Sequence, residues 1–119
     1  MLERDLTAQN GEIQKQILPE FLWLRFADTG TRGRSAHKLG FDGLLLFRSR
    51  VWVVEVKIGE NKKLTENEES LAKLFKKYNI NYYILTYYIG IDLWIIRIYD
   101  SFLTCSGSLE DICNWLLDL

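Results

Sequence analysis

Glu55 and Lys57 stand two residues apart in Val51-Trp52-Val53-Val54-Glu55-Val56-Lys57, a run that is otherwise entirely apolar. Side chains alternate along a strand, so the two opposite charges share one face. A charge buried in such a run is costly unless it is paired or bound to a metal. Glu55 and Lys57 are therefore either a plain ion pair at a fraying strand end or part of a site. Asp42 tilts the balance, because a hairpin strand preceding Val51 returns a second carboxylate toward the first. A two-residue loop at Ser49-Arg50 would pair Arg48 with Val51, Leu44 with Glu55 and Asp42 with Lys57, which puts all three ionisable groups on one face. A three-residue loop without a bulge would put Asp42 on the other face, so the reading depends on register parity. Two carboxylates beside a lysine form an oxygen-rich site suited to Mg²⁺ or Mn²⁺, hard cations that also bind phosphate oxygens.

The elements that must position these groups can be traced along the chain. Apolar residues Ile13, Ile17, Leu18 and Phe21 recur near helical spacing, and Pro19 limits the first helix to about Thr7–Leu18. Trp23–Ala27 reads as a short strand and Asp28–Lys38 as a loop. Two strands follow, Phe41–Phe47 and Val51–Lys57, joined too closely for anything but an antiparallel hairpin. Thr65 and Glu68 form a capping-box pattern ahead of a helix whose face is Leu71, Leu74, Phe75 and Tyr78. Tyr82–Tyr87 and Leu93–Ile98 are rich in aromatic and β-branched residues and read as strands. Ser108 caps a last helix with the face Leu109, Ile112, Cys113, Leu116 and Leu117. The order is αβββαββα, an α/β fold in which helices flank a mixed sheet.

With these residues in place, the chain resembles the PD-(D/E)xK nucleases and, more specifically, their VRR-NUC (virus-type replication and repair nuclease) branch. In that branch a glutamate in an early helix precedes a loop bearing Gly and Arg, a Gly-x-Pro-Asp element, a Glu-x-Lys strand and a Leu-Ser/Thr-x-x-Gln helix start. The matching residues are Glu12-Ile13-Gln14, Arg32-Gly33, Gly40-Phe41-Asp42, Glu55-Val56-Lys57 and Leu64-Thr65-Glu66-Asn67-Glu68, with Phe41 in place of the proline and Glu68 in place of the glutamine. The resemblance implies a restriction-endonuclease-like core and a Mg²⁺- or Mn²⁺-dependent nuclease acting on DNA. It also implies a metal held by Asp42, Glu55 and the Val56 carbonyl. Lys57 would orient the attacking water or stabilise charge, and Glu12 would complete the site directly or through water. For Glu12 an ordinary place on a helix surface is the competing reading, and for Glu68 the capping box alone suffices.

Whole-chain properties bound the rest. A chain of 119 residues, 48% hydrophobic and 13% aromatic, with a single Pro, fits one domain spanning residues 1–119. No apolar run approaches the roughly 20 residues that cross a bilayer, so a cytoplasmic protein without membrane association is expected. Two cysteines, Cys105 and Cys113, and one histidine cannot form a four-ligand zinc site, and the cysteines read as small apolar residues rather than a disulfide. Net charge is −1, yet Arg25–Lys63 carries nine basic residues against four acids. Within that segment Arg32, Arg34 and Lys38 are read as contacts to a nucleic-acid backbone, and His37 as an exposed loop residue or a proton donor. The abundance of large apolar side chains suggests a homodimer. Two rival readings belong to other classes: a nuclease-like fold that only binds nucleic acid or protein, and an association module built on Tyr82–Tyr88 and Trp94.

Overall fold

The computed structural model describes residues 10–26, 40–59 and 63–119. Helix α1 (Asn10–Gln16) leads to strand β1 (Leu22–Arg25), which is followed by β2 (Gly43–Phe47) and β3 (Arg50–Ile58). Helix α2 (Glu66–Lys77), strands β4 (Tyr82–Tyr88), β5 (Leu93–Ile98) and β6 (Thr104–Gly107), and helix α3 (Leu109–Leu117) complete the chain. The six strands form one mixed sheet in the order β1-β2-β3-β4-β5-β6. Only β3 and β4 run parallel, with α2 as the crossover between them. The expected α/β architecture with three helices is present. Strand β6 is the addition: Thr-Cys-Ser-Gly carries neither alternation nor β-branched density, and pairing with β5 makes it a strand.

The two sheet faces divide the molecule. Trp52, Val54 and Val56 of β3, with Tyr83, Leu85 and Tyr87 of β4, pack against Ile13 and Ile17 of the α1 region and Leu109, Ile112, Cys113 and Leu116 of α3. On the other face, Tyr82 and Ile84 meet Ala72, Leu71 and Phe75 of α2. The buried stripe of α2 thus runs through Glu68, Leu71, Ala72 and Phe75, whereas Leu74 and Tyr78, expected on that stripe, are exposed. Small Ala72 at the closest approach to the sheet sets this rotation, and it brings polar Glu68 inward, a residue that hydrophobic periodicity would assign to solvent. Both helix starts are capped as expected: Thr65 with Glu68, and Ser108 with Asp111, make reciprocal side-chain to backbone hydrogen bonds. Cys105 and Cys113 are free thiols.

The β2–β3 hairpin turns through Arg48 and Ser49, pairing Phe47 with Arg50 and Leu44 with Val53. The expected loop at Ser49-Arg50 is therefore one residue too late. Arg48 adopts a left-handed φ of 53°. Arg50 belongs to β3, where its guanidinium donates to the carbonyls of Leu116 (3.1 Å) and Leu117 (3.1 Å) and lies over the Trp52 ring. Two residues of shift leave parity unchanged, and so Asp42, Glu55 and Lys57 remain on the same side of the hairpin.

Candidate active site

Asp42 stands where the β2 ladder breaks. Its N–H donates to Val54 O (3.0 Å), its own carbonyl accepts from Phe26 N–H (2.9 Å), and its Oδ2 accepts the Val56 N–H at 2.7 Å. The carboxylate thus takes the place a β2 carbonyl would fill one step further along. Two glycines allow this. A Cβ on Gly43 would lie 2.6 Å from Leu24 O and 2.9 Å from the Trp23 ring, and Gly40 combines a φ of +80° with a virtual Cβ 2.9 Å from Leu71. The Tyr82 hydroxyl donates to Gly40 O and fixes the approach to Asp42 from the neighbouring strand. Phe41 packs edge-on against Phe26 and also meets Phe75, an anchoring suited to a side chain larger than proline.

Glu55 and Lys57 lie mid-sheet on the α2 face, 3% and 4% exposed, and not at a fraying end. Lys57 Nζ is 3.4 Å from Glu55 Oε2 and 2.8 Å from Glu68 Oε1. Glu68 Oε1 also accepts the Thr65 N–H at 2.8 Å, so one carboxylate closes the capping box and holds the lysine. Sequence reasoning left Glu68 with the cap alone. The signal for its second role was its place on the stripe with Leu71, Ala72 and Phe75. The structure brings Asp42, Glu55, Lys57 and Glu68 into one cluster, with Asp42 and Glu55 joined by a side-chain hydrogen bond.

Three carboxyl groups around one ammonium titrate unevenly. Burial pushes Glu55 up to about 11, helped by the negative charge of Asp42 and its hydrogen bond to Glu68. Asp42 is also raised by burial, in spite of the Val56 N–H and the bond to Glu55. Burial acts the same way on Glu68, but hydrogen bonds with Glu55, Lys57 and the Thr65 N–H outweigh it and hold this group below its ordinary value. In the absence of a cation, Glu55 therefore keeps a proton and Glu68 is the ionised partner of Lys57.

Glu12 stands apart. It lies in the first turn of α1, on the opposite sheet face, where its charge acts on Tyr87. Arg32, Arg34, His37 and Lys38 lie outside the described residues. Among the described residues no three His, Cys, Asp or Glu side chains are grouped to hold a metal. Two carboxylates remain, together with the Val56 carbonyl, which leaves β3 on the same edge as the Val56 N–H bound by Asp42. All three donors are oxygens, and Glu55 is a buried acid whose proton a cation would replace. That set fits Mg²⁺ or Mn²⁺, which take one or two carboxylates and leave the other positions to water and phosphate.

No family model, curated protein or solved structure matches the chain. No helix among the described residues is long and apolar enough to cross a membrane.

Proposed function

We propose that the chain is a metal-dependent deoxyribonuclease that hydrolyses phosphodiester bonds. Carrying this reading is the buried cluster in which Asp42 and Glu55 lie side by side with Lys57 held between Glu55 and Glu68. Two buried carboxyls side by side repel one another whenever both ionise, a cost to the fold that a bound cation would offset. Asp42, Glu55 and the Val56 carbonyl would hold Mg²⁺ or Mn²⁺. Bound there, such an ion supplies Lewis-acid polarisation of phosphate and an activated water. Lys57 supplies a positive charge aimed at the pocket, and Glu68 keeps its ammonium in place while leaving it available to the charge that develops during in-line displacement. Glu12, on this reading, serves the first turn of α1 rather than the pocket.

The site reads as that of the PD-(D/E)xK nucleases of the VRR-NUC kind, with a role in processing replication or repair intermediates such as branched or flap DNA in the cytoplasm. Arg32, Arg34 and Lys38 would supply phosphate contacts around it. The working unit is taken as a homodimer. Leu22, Leu24, Leu44, Leu46 and Val51 support this, because cross-strand pairing joins them into one aliphatic face beside the core that α2 forms with β4.

Duplex, single-stranded, flap and branched DNA offered in parallel with Mg²⁺ or Mn²⁺ test the reading. Cleavage should disappear with chelation and in Asp42→Asn, which keeps an acceptor for the Val56 N–H. Equal cleavage by Asp42→Asn would trace the activity to another protein, and no cleavage of any substrate would leave a binding-only module on this fold.

A further inference from the structure

Tyr82 opens β4 and is 1% exposed, with its ring packed on Phe75 and Tyr99. Phenylalanine would fill that aromatic slot equally well and bury no polar atom. The tyrosine hydroxyl instead reaches the stretch of chain ahead of β2, where it donates to Gly40 O in a buried hydrogen bond. Burial, and then the negative charges of Glu55, Glu68 and Asp42, push its ionisation up and keep it a donor. Gly40 is held from a second side by α2: its φ of +80° favours glycine, and a Cβ there would lie 2.9 Å from Leu71 Cδ2. The chain then passes through Phe41, which meets Phe26 and Phe75, and reaches Asp42. Glu55 sits within β3, paired with Ile84 of β4, whereas Asp42 precedes the first residue of β2. The position of the Asp42 carboxylate therefore depends on what fixes the chain just ahead of it, and the Tyr82 hydroxyl is a polar tie to that stretch.

We infer that Tyr82 is a positioning residue of the metal site: its hydroxyl, acting through Gly40, holds the Asp42 carboxylate in place before an ion arrives. The inference rests on the nuclease reading above, in which Asp42 and Glu55 take the ion. A carboxylate already in place costs no ordering on binding, whereas one carried on a loosened approach must be ordered by the ion itself. Removing the hydroxyl should then weaken binding of the ion without changing the chemistry once the ion is bound.

The test compares wild type, Tyr82→Phe and Tyr99→Phe in three measurements: Mn²⁺ titration of the protein without DNA, melting in a chelator, and cleavage over a range of Mn²⁺ concentrations. Tyr99 is the control, a ring of the same aromatic group whose hydroxyl bonds Glu69. Loss of one hydrogen bond predicts that Tyr82→Phe binds Mn²⁺ about 3- to 10-fold more weakly. The Mn²⁺ needed for half-maximal cleavage should rise by the same factor, with kcat at saturating Mn²⁺ near that of wild type. Tyr99→Phe should match wild type in both. Unchanged Mn²⁺ affinity in Tyr82→Phe, with or without a lower melting temperature, assigns the hydroxyl to the fold alone and overturns the inference. A loss shared equally by Tyr99→Phe, or a kcat that stays low at saturating Mn²⁺, overturns it as well. Should Tyr82→Phe fail to fold, Leu71→Ala, which frees Gly40 on the helix side, takes its place under the same expectations. A wild type that binds Mn²⁺ but cuts no DNA removes the nuclease reading and leaves the titration to decide for Tyr82. A wild type that binds no Mn²⁺ removes the metal site, and both fall.

Discussion

At the scale of single residues, the cluster is defined by Glu55. Its carboxyl is buried beside Asp42 and Glu68, and the fold holds it protonated far above the 4.5 of an unperturbed glutamate, to about 11. A group whose folded value is raised contributes stability that is fully present below its unfolded value and is lost as pH rises toward the folded one. Without a divalent ion, the wild type should therefore lose stability steadily as pH rises from the unfolded 4.5 toward the folded value of about 11. Asp42, also raised, acts in the same direction, while lowered Glu68 exerts its effect only in more acidic solution. Glutamine at this position has the shape of the protonated acid and no charge to lose. Glu55→Gln should melt a few degrees above wild type at neutral pH in a chelator, with a gap that widens in alkali and closes in acid. Mn²⁺ should raise the melting temperature of the wild type with release of protons, and should leave Glu55→Gln unmoved. Parallel melting curves for the two proteins across that range would show that Glu55 ionises freely in the fold.

At the scale of elements, the hairpin carries the site, and its tightest point is Gly43. A methyl group there would meet the Leu24 carbonyl at 2.6 Å and the Trp23 ring at 2.9 Å, and these are backbone and a buried ring rather than the far end of a flexible side chain. Gly43→Ala should cost roughly 1–3 kcal/mol, read as a lower midpoint in urea, by forcing β1 away from β2 next to Asp42. An unchanged midpoint would mean that β1 yields easily. Much of this architecture was legible in the sequence: the hairpin, the Thr65–Glu68 capping box, Ser108 as the cap of the last helix, and the shared face of Asp42, Glu55 and Lys57 each follow from local rules of spacing and parity. Three features were not. The turn at Arg48-Ser49 is set by the bonds of Arg50 to the distant end of α3, the rotation of α2 by the close approach of Ala72, and β6 by pairing alone. Each is a tertiary choice among local possibilities that the sequence leaves nearly equal.

At the scale of the whole molecule, the sheet is covered unevenly. Among the described residues, α1 and α3 close one face, whereas α2 packs on the part of the other face over β4 and Val53 of β3. Beyond it, Leu22 pairs with Leu46, Leu24 with Leu44 and Leu46 with Val51, so five aliphatic side chains from three strands share one face. Leu22, Leu24 and Val51 are 51%, 42% and 56% exposed. Strands with such apolar residues on both faces are characteristic of sheets covered on both sides, and a bare patch of this kind marks an association surface. A second copy is the proposed cover. None of the five residues is charged, so a twofold contact sets no charge against its own image, and aligned sheets can interdigitate their side chains. Sedimentation at micromolar concentration should give a dimer. Leu24→Glu, within the patch and on the edge strand, should shift it to monomer while leaving the far-ultraviolet circular dichroism unchanged. A monomeric wild type, with and without DNA, would mean that the aliphatic face is left to solvent or to another partner.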